Sequence, residues 1–348
     1  MLAKAVAAVP DADAIAGGYA YEPKWDGFRA IVAVGAGSSG ISVEIGSRGS
    51  KPLTRYFPEL LDAVAAQLPP GTVVDGEIVL RASGGTGTGS GERLDWEALS
   101  QRIHPAASRV AKLAAETPAS LVVFDLLRTA DDPDLHAHPF AERRAALERL
   151  LVDARPPLHL SVLGRDADDA RRWLDEFEGA GLDGVVAKPL AAPYAPGKRV
   201  LLKIKHARTA DVVLTGYRMH KSGEGVGSLL LGLYGDDGEL HRVGGVSAFT
   251  TARRRELIDE LAPLVALDAH GEALRGEDDR TRFTGSRDTG FVVLRPERVL
   301  EVRYDQMEGA RFRHTAQFER WRPDREPRSC TFAQLEVPAA YDLGALLD

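Results

Sequence analysis

The sequence predicts an α/β or α+β domain followed by a small all-β barrel. In the first two hundred residues, short apolar, β-branched runs alternate with helical patterns, a mixture typical of layered catalytic domains. After about residue 208 the texture becomes strands separated by Gly-Asp turn signals, with one helical stretch inserted. A length of 348 residues exceeds what one hydrophobic core usually holds, which agrees with two domains.

In chain order, "VVDGEIVL" (73–80), "SLVVFDLL" (120–127), "GVVAKPL" (184–190) and "RVLLKIK" (199–205) read as buried strands. Between them "YFPELLDAVAAQL" (56–68), "LDWEALSQRI" (94–103), "HPFAERRAALERLL" (138–151) and "DARRWLDEFEGAG" (169–181) carry helical spacing, and the last ends on glycine. In the second half "DVVLTGYRM", "GSLLLGLYG", "GELHRVGGV" and "RVLEVRYDQM" read as strands, with "TARRRELIDELAPLV" as the helix. That order suits a β-barrel of the OB type closed by a helix. The boundary falls in "KIKHARTADV", giving domains 1–207 and 208–348. The loop "SGGTGTGSGE" (83–92) looks like a phosphate loop but no Lys-Ser or Lys-Thr follows it, so it reads as a flexible connection.

Composition narrows the chemistry. With 44% hydrophobic residues and no apolar run near eighteen, nothing suggests a membrane span, and the broken N-terminal stretch is a poor signal peptide. These features predict a cytoplasmic protein. Cys330 is the only cysteine, so an internal disulfide and a cysteine-based zinc cluster are excluded, and any metal must sit on oxygen or histidine. A formal charge of −7 argues against bulk electrostatic coating of nucleic acid and leaves room for a local basic cleft. About nine lysines stand against roughly thirty-five arginines, and five of those lysines are Lys24, Lys188, Lys198, Lys203 and Lys205.

Lys24 stands in "EPKWDGFRA", at the end of a strand-like segment that leads into a turn at Asp26-Gly27. A lysine becomes a nucleophile only when burial or neighbouring cations depress its pKa. Asp75 and Glu77 share one strand face by the two-residue period, so two carboxylates are placed toward one cleft. Lys188 lies five residues after Asp183, an odd spacing that turns it to the opposite side of a straight strand. Lys203 and Lys205 share a face between Leu202 and Ile204, and two such lysines want an anionic partner. A polyphosphate meets that need.

In order, "KWDGFR" (24–29), "SRGSKPLTRYFPEL" (47–60), "VVDGEIV" (73–79), "LVVFDLL" (121–127), "DGVVAKP" (183–189) and "LLKIKH" (201–206) resemble the signature blocks of the covalent nucleotidyltransferases. "LTGYRMHKSGEGVGSLLLGLY" and "RFRHTAQFERWRPDRE" resemble the opening of the ligase OB domain and its terminal motif. Over roughly residues 20 to 335 the chain resembles an ATP-dependent DNA ligase of the small bacterial two-domain type. The resemblance implies an α+β nucleotidyltransferase fold, that is, an ATP-grasp-like adenylation domain with antiparallel and mixed sheets, followed by an all-β OB-fold barrel.

It also implies roles. Lys24 would attack the α-phosphate of ATP, forming a lysyl-adenylate; the AMP passes to the 5′-phosphate at a nick, and the 3′-hydroxyl displaces it. Lys188, Lys203 and Lys205 would neutralise phosphate charge and depress the pKa of Lys24. Mg2+ or Mn2+ would be held by Glu77 and Asp183 with phosphate oxygens and water. Phe124, otherwise an ordinary core phenylalanine, would stack on adenine, and Glu22 would accept from its amino group. Arg29 and Arg48 suit ribose and phosphate contacts. Arg320, Arg322 and Arg325 would form a cationic face for the ATP pyrophosphate, the bland alternative being a solvated basic stretch.

Some positions depart from the family pattern. Asp183 replaces the usual glutamate, Leu201 stands where a tryptophan is common, Arg199 is oddly spaced, and Arg325 replaces a lysine. The implied partner is nicked double-stranded DNA, with a repair polymerase or end-binding factor as possible recruiters, acting on a monomer near the nucleoid. Lys24 lies too near the start for a preceding helical DNA-binding domain, so the OB domain is expected to supply much of the DNA contact, through "RMHKSGEG" and "TTARRRE" with Arg253 and Arg255. RNA ligases and capping guanylyltransferases share the lysine chemistry, and a non-catalytic OB-fold nucleic-acid binder is the alternative from another class.

Overall fold

The computed structural model describes residues 1–37, 40–49, 51–83, 92–205, 208–277, 290–335, 341 and 343–347. The chain divides into two compact units, Met1–Lys205 with Pro338–Asp348, and His206–Val337. The glycine-rich stretch 84–91 and the boundary residues 206–207 lie outside the described residues.

The first unit holds two sheets. The strands Leu2–Ala5, Arg199–Ile204, Val185–Pro189 and Tyr19–Pro23 lie side by side in that order, the first pair parallel and the others antiparallel. The second sheet runs Gly40–Ser47, Phe28–Gly37, Val73–Ser83, Ala119–Arg128, Leu158–Leu160, with Glu92–Leu94 beside Val73–Ser83; only its last pair is parallel. These are the antiparallel and mixed sheets of the predicted fold. Ala119–Arg128 is buried along most of its length because both faces are covered. One face packs with Leu60 and Val64 of the helix Pro58–Gln67 and Leu147 of the helix Phe140–Leu150, while Val122 looks into a second cluster around Trp25. Continuous apolar runs mark such strands in sequence for this reason.

Helix boundaries were read less well. The pattern at 94–103 yields only Trp96–Ser100, started by Asp95, whose carboxylate accepts from the Ala98 N–H at 2.9 Å. The helix Ala107–Glu116 is not among the helical stretches expected from the sequence; no side chain caps its start at Ala106, and among its residues only Val110 is buried. The helix Ala167–Glu176 starts at the Asp166 cap, and its chain turns off through Gly181 at φ +83°, a conformation suited to glycine.

In the second unit the strand Arg208–Met219 is the hub, pairing with Val226–Tyr234, Gly290–Val293 and Val299–Tyr304. Leu240–Val246 and Gln317–Trp321 extend the ladder on either side. Among the described residues the ladder is open, its ends meeting through the isolated bridge Val246↔Ala316. The helix Thr251–Leu261, capped by Thr250, buries Leu257 and Leu261 in the same core as Leu229, Val243 and Val302.

One boundary needs correction: the tail assigned to the second domain by sequence packs on the first unit. Leu343, Leu346 and Leu347 are buried with Trp25, Val79, Leu94, Val122 and Phe177. Tyr341 meets the Phe177 ring edge-on at 5.0 Å, and the Leu347 carbonyl contacts buried His159 Nδ1 at 2.8 Å. Three leucines in so short a stretch require a partner surface, but no periodicity says which.

Candidate active site

Lys24 follows the strand Tyr19–Pro23, and two backbone hydrogen bonds tie it to the start of a neighbouring strand. Its N–H donates to Gly184 O at 2.8 Å, and the Asp183 N–H donates to Lys24 O at 2.9 Å. Gly184 adopts φ +119°, and a Cβ there would lie 2.0 Å from Ile204 O, so the close approach requires glycine. Gly27 is constrained likewise, its hypothetical Cβ falling 2.0 Å from Ile78 O. Behind Lys24, buried Trp25 donates from Nε1 to Ser161 Oγ at 2.9 Å.

The tied segments bring Lys24 Nζ to 2.5 Å from Asp183 Oδ2, and Lys205 Nζ to 2.9 Å from the same oxygen. Burial alone would push the Asp183 carboxyl up; Lys24 and Lys205 outweigh it and hold the group below its ordinary range. Lys203 is pushed down by desolvation, then by Lys205 and Lys24, with Arg48 adding to the field. Lys203 thus feels Lys205, Lys24 and the exposed Arg48. Such a gathering of cations is suited to phosphate oxygens.

Glu77 and Asp75 separate in role. Asp75 is buried and taken by the Arg29 fork at 2.9 and 2.5 Å and by the Tyr194 hydroxyl at 2.8 Å. Glu77 accepts from the Gly27 N–H at 3.2 Å, and desolvation raises its carboxyl to about 8 against the pull of Lys24 and Arg29. A desolvated oxygen donor of this kind fits a hard divalent cation, which would hold it ionised at neutral pH. Among the described residues no group of three or more His, Cys, Asp or Glu side chains could hold a metal. A cation here must therefore draw most of its ligands from phosphate and water, as magnesium commonly does.

A second cluster forms on the neighbouring strands. Register places Ala20 opposite Lys188 and Glu22 opposite Val186, so Glu22 and Lys188 are diagonal neighbours on one face. Lys188 Nζ is 2.7 Å from Glu22 Oε2 and lies over the rings of Phe124 at 4.4 Å and Phe140 at 4.9 Å. Lys188 therefore sits with Glu22 and half-buried Phe124, not at the Asp183 carboxylate shared by Lys24 and Lys205; Asp183 precedes the strand Val185–Pro189, so spacing along a straight strand does not decide this. Arg144 Nη1 approaches Glu22 at 3.4 Å, and the Arg29 guanidinium lies 5.8 Å from the Phe124 ring.

Sequence reasoning missed Tyr194 and Arg144, along with the buried Arg143–Asp125 fork at 2.8 and 2.9 Å. Their partners are distant in sequence and no spacing joins them. The terminal block also differs from a free cationic face. Arg320 pairs with Glu301 at 2.5 Å, Arg322 with Asp324 at 2.8 Å and Asp211 at 2.9 Å, and Arg325 with Asp211 at 3.2 Å.

The two-sheet unit with its lysine–carboxylate corner, followed by the OB-type unit, defines a nucleotidyltransferase domain with an appended OB-fold domain. Residues 1–205 match the ATP dependent DNA ligase domain, and residues 222–325 match the ATP dependent DNA ligase C terminal region. The chain is 54% identical over 351 residues to DNA ligase C2 of Mycolicibacterium smegmatis, covering 97% of this chain and 94% of that protein. It is 52% identical over 362 residues to DNA ligase C of Mycobacterium tuberculosis, covering 100% and 96%. A solved Lig E DNA ligase shares the fold with a TM-score of 0.57 at 16% identity, over 92% of this chain and 98% of that one. The chain belongs to the ATP-dependent DNA ligase family.

Proposed function

We propose that this protein seals nicks in double-stranded DNA through a lysyl-adenylate on Lys24. The observation that carries the reading is the Lys24 amine held on a carboxylate shared with Lys205, beside Lys203 and Arg48. Asp183 orients Nζ for attack on the α-phosphate of ATP; the N–P bond forms as the bond to pyrophosphate breaks, and the amine proton passes to water. Lys203 and Lys205 stabilise charge spread over the phosphate oxygens. Phe124 stacks on adenine, and Glu22, with Lys188 bound to it, faces the base edge. Arg29, fixed by Asp75 and Tyr194, reaches the ribose, and Arg48 a phosphate. Arg322 and Arg325 serve the leaving pyrophosphate. Magnesium or manganese would be held by Glu77, with Asp183, and would supply charge neutralisation at the phosphates. The adenylate then passes to the 5′-phosphate of the nick, where the 3′-hydroxyl displaces AMP.

The second unit's charge supports a contact with DNA there. A groove of about 380 Å³ is lined by Arg218, Arg242, Arg311, Arg313 and His314. Arg242 is pushed down by desolvation and by neighbouring Arg218 and Arg311, the mark of crowded cations. Arg253 pairs with Glu260 at 2.7 Å and Arg255 with Glu224 at 2.7 Å, carboxylates that compete with phosphate for those loops. No helix among the described residues is long and apolar enough to cross a membrane. The reading is of a cytoplasmic, nucleoid-associated monomer that works in DNA repair beside a polymerase or end-binding factor.

Sealing of a nicked duplex with ATP, at rising salt, tests this. We expect all-DNA nicks to be sealed faster than nicks with ribose on the 3′ or 5′ side. For Arg242→Ala/Arg311→Ala the salt slope of DNA binding should flatten by about one to two units. Preference for ribose would favour an RNA ligase, and nick binding without sealing a non-catalytic module.

A further inference from the structure

Two arginines of the terminal block are held by one carboxylate. Asp211, on the strand Arg208–Met219, accepts from Arg322 Nη1 at 2.9 and 3.1 Å, and its Oδ2 lies 3.2 Å from Arg325 Nε. Its own backbone is clamped by a single side chain. The Asp211 N–H donates to Gln334 Oε1 at 2.9 Å, and Gln334 Nε2 donates to Asp211 O at 3.0 Å. The carboxylate therefore projects from a fixed point on the hub strand. Its side chain is 13% exposed, against 18% for Arg322 and 35% for Arg325.

The geometry divides the labour among the acids. Asp324 takes the Nε and Nη2 edge of Arg322, and Asp211 takes Nη1. On Arg325 the ion pair involves Nε, while Nη2 makes only a 3.5 Å contact with Ser329 O. The outer edge of Arg325 thus remains available to an anion, while its buried Nε faces Asp211 as an ion pair without a hydrogen bond. Arg320 is held separately by Glu301, which pairs in register with both Asp211 and Arg320. Without the shared anion two neighbouring guanidinium groups repel and adopt separate rotamers, so their spacing is lost.

We infer that Asp211 is a positioning residue for attack on ATP: one carboxylate that sets the spacing of Arg322 and Arg325 so that they meet the leaving pyrophosphate together. This rests on the reading of the terminal block given above. Charge alone makes the opposite forecast, because removing an anion beside two arginines should tighten ATP binding. Positioning instead predicts slower chemistry without weaker binding, so the two accounts part in the maximal rate of adenylation and not in KM.

The experiment compares Asp211→Asn, Asp211→Glu and Arg322→Ala in two single-turnover assays. One follows adenylation of the protein over a range of ATP concentrations; the other follows sealing of a nick already carrying 5′-adenylate, which bypasses the first step. We expect Asp211→Asn to slow maximal adenylation about tenfold or more with unchanged or lower KM, and to seal the pre-adenylated nick within about twofold of wild type. Asp211→Glu should recover part of the adenylation rate. Adenylation by Asp211→Asn at or above the wild-type rate, with Arg322→Ala slow, would overturn the inference. So would parallel loss in both assays, which would make Asp211 a support of the barrel alone. Normal adenylation by Arg322→Ala would instead remove the reading of the terminal block on which the inference stands.

Discussion

Replacing Lys24 with alanine abolishes transfer of AMP from ATP to the protein, while sealing of a nick that already carries 5′-adenylate falls by no more than about tenfold. The asymmetry follows from the chemistry. In the mechanism proposed above, Lys24 supplies the amine that forms the N–P bond. Lys205 approaches the same Asp183 oxygen at 2.9 Å, and the backbone bonds of Lys24 to Asp183 and Gly184 set the Lys24 amine beside it. In the final step the bond forms between two DNA groups, and the site contributes charge stabilisation through Lys203 and Lys205. Radiolabelled AMP on protein and on strand, measured separately, checks both halves. Loss of both activities together would mean that Lys24 supports the site's structure as much as its chemistry.

The next largest effect concerns Glu77. Its carboxyl is raised to about 8, first by desolvation, so without a cation it is mostly protonated at neutral pH. Below pH 8 the divalent ion concentration needed for half-maximal adenylation should therefore fall by up to about tenfold per pH unit as proton competition weakens. Glu77→Gln should raise that requirement and erase its pH dependence between 7 and 9. Stability carries the matching sign. The folded carboxyl binds its proton more tightly than the unfolded one, so the folded state loses stability as pH rises from the ordinary 4.5 toward 8. Thermal midpoints taken without divalent ions should show that decline in wild type and a weaker one in Glu77→Gln. An unchanged metal requirement in the variant would remove Glu77 from the metal site.

Spacing made part of the proposed site legible: alternate strand positions put Asp75 with Glu77 and Lys203 with Lys205, and a glycine turn follows Lys24. The roles proposed for Lys24, Glu77 and Asp183 came from the resemblance of their ordered blocks to a family, and the structure brings Lys24, Lys205 and Asp183 together. Lys188 was harder to place. Its partner depends on the register that sets it diagonal to Glu22, a fact of pairing across sequence. Asp75 was read as a second cleft carboxylate, but its fate was fixed by Arg29 and Tyr194, the latter in a loop with no periodic signal.

The second unit shows the same limit. Arg320, Arg322 and Arg325 read as a cationic face, yet beside the local Asp324 their carboxylates come from Glu301, on a neighbouring strand, and from Asp211, over a hundred residues away. The strands themselves were visible because apolar runs and glycine turns are local. The tail was misassigned because motif reading places a segment by its sequence neighbours, whereas Leu343, Leu346 and Leu347 are placed by the surface that buries them.

The most direct measurement locates AMP on the protein and then follows it. Protein first stripped with pyrophosphate is incubated with ATP labelled at the α-phosphate and a divalent ion, digested, and the modified peptide identified; a parallel sample is chased with nicked DNA. The account predicts AMP on Lys24 alone, moving to the 5′-phosphate of the nick and leaving as the strand closes. AMP on another residue, no AMP after stripping, or AMP that stays on the protein when nicked DNA is added would contradict it.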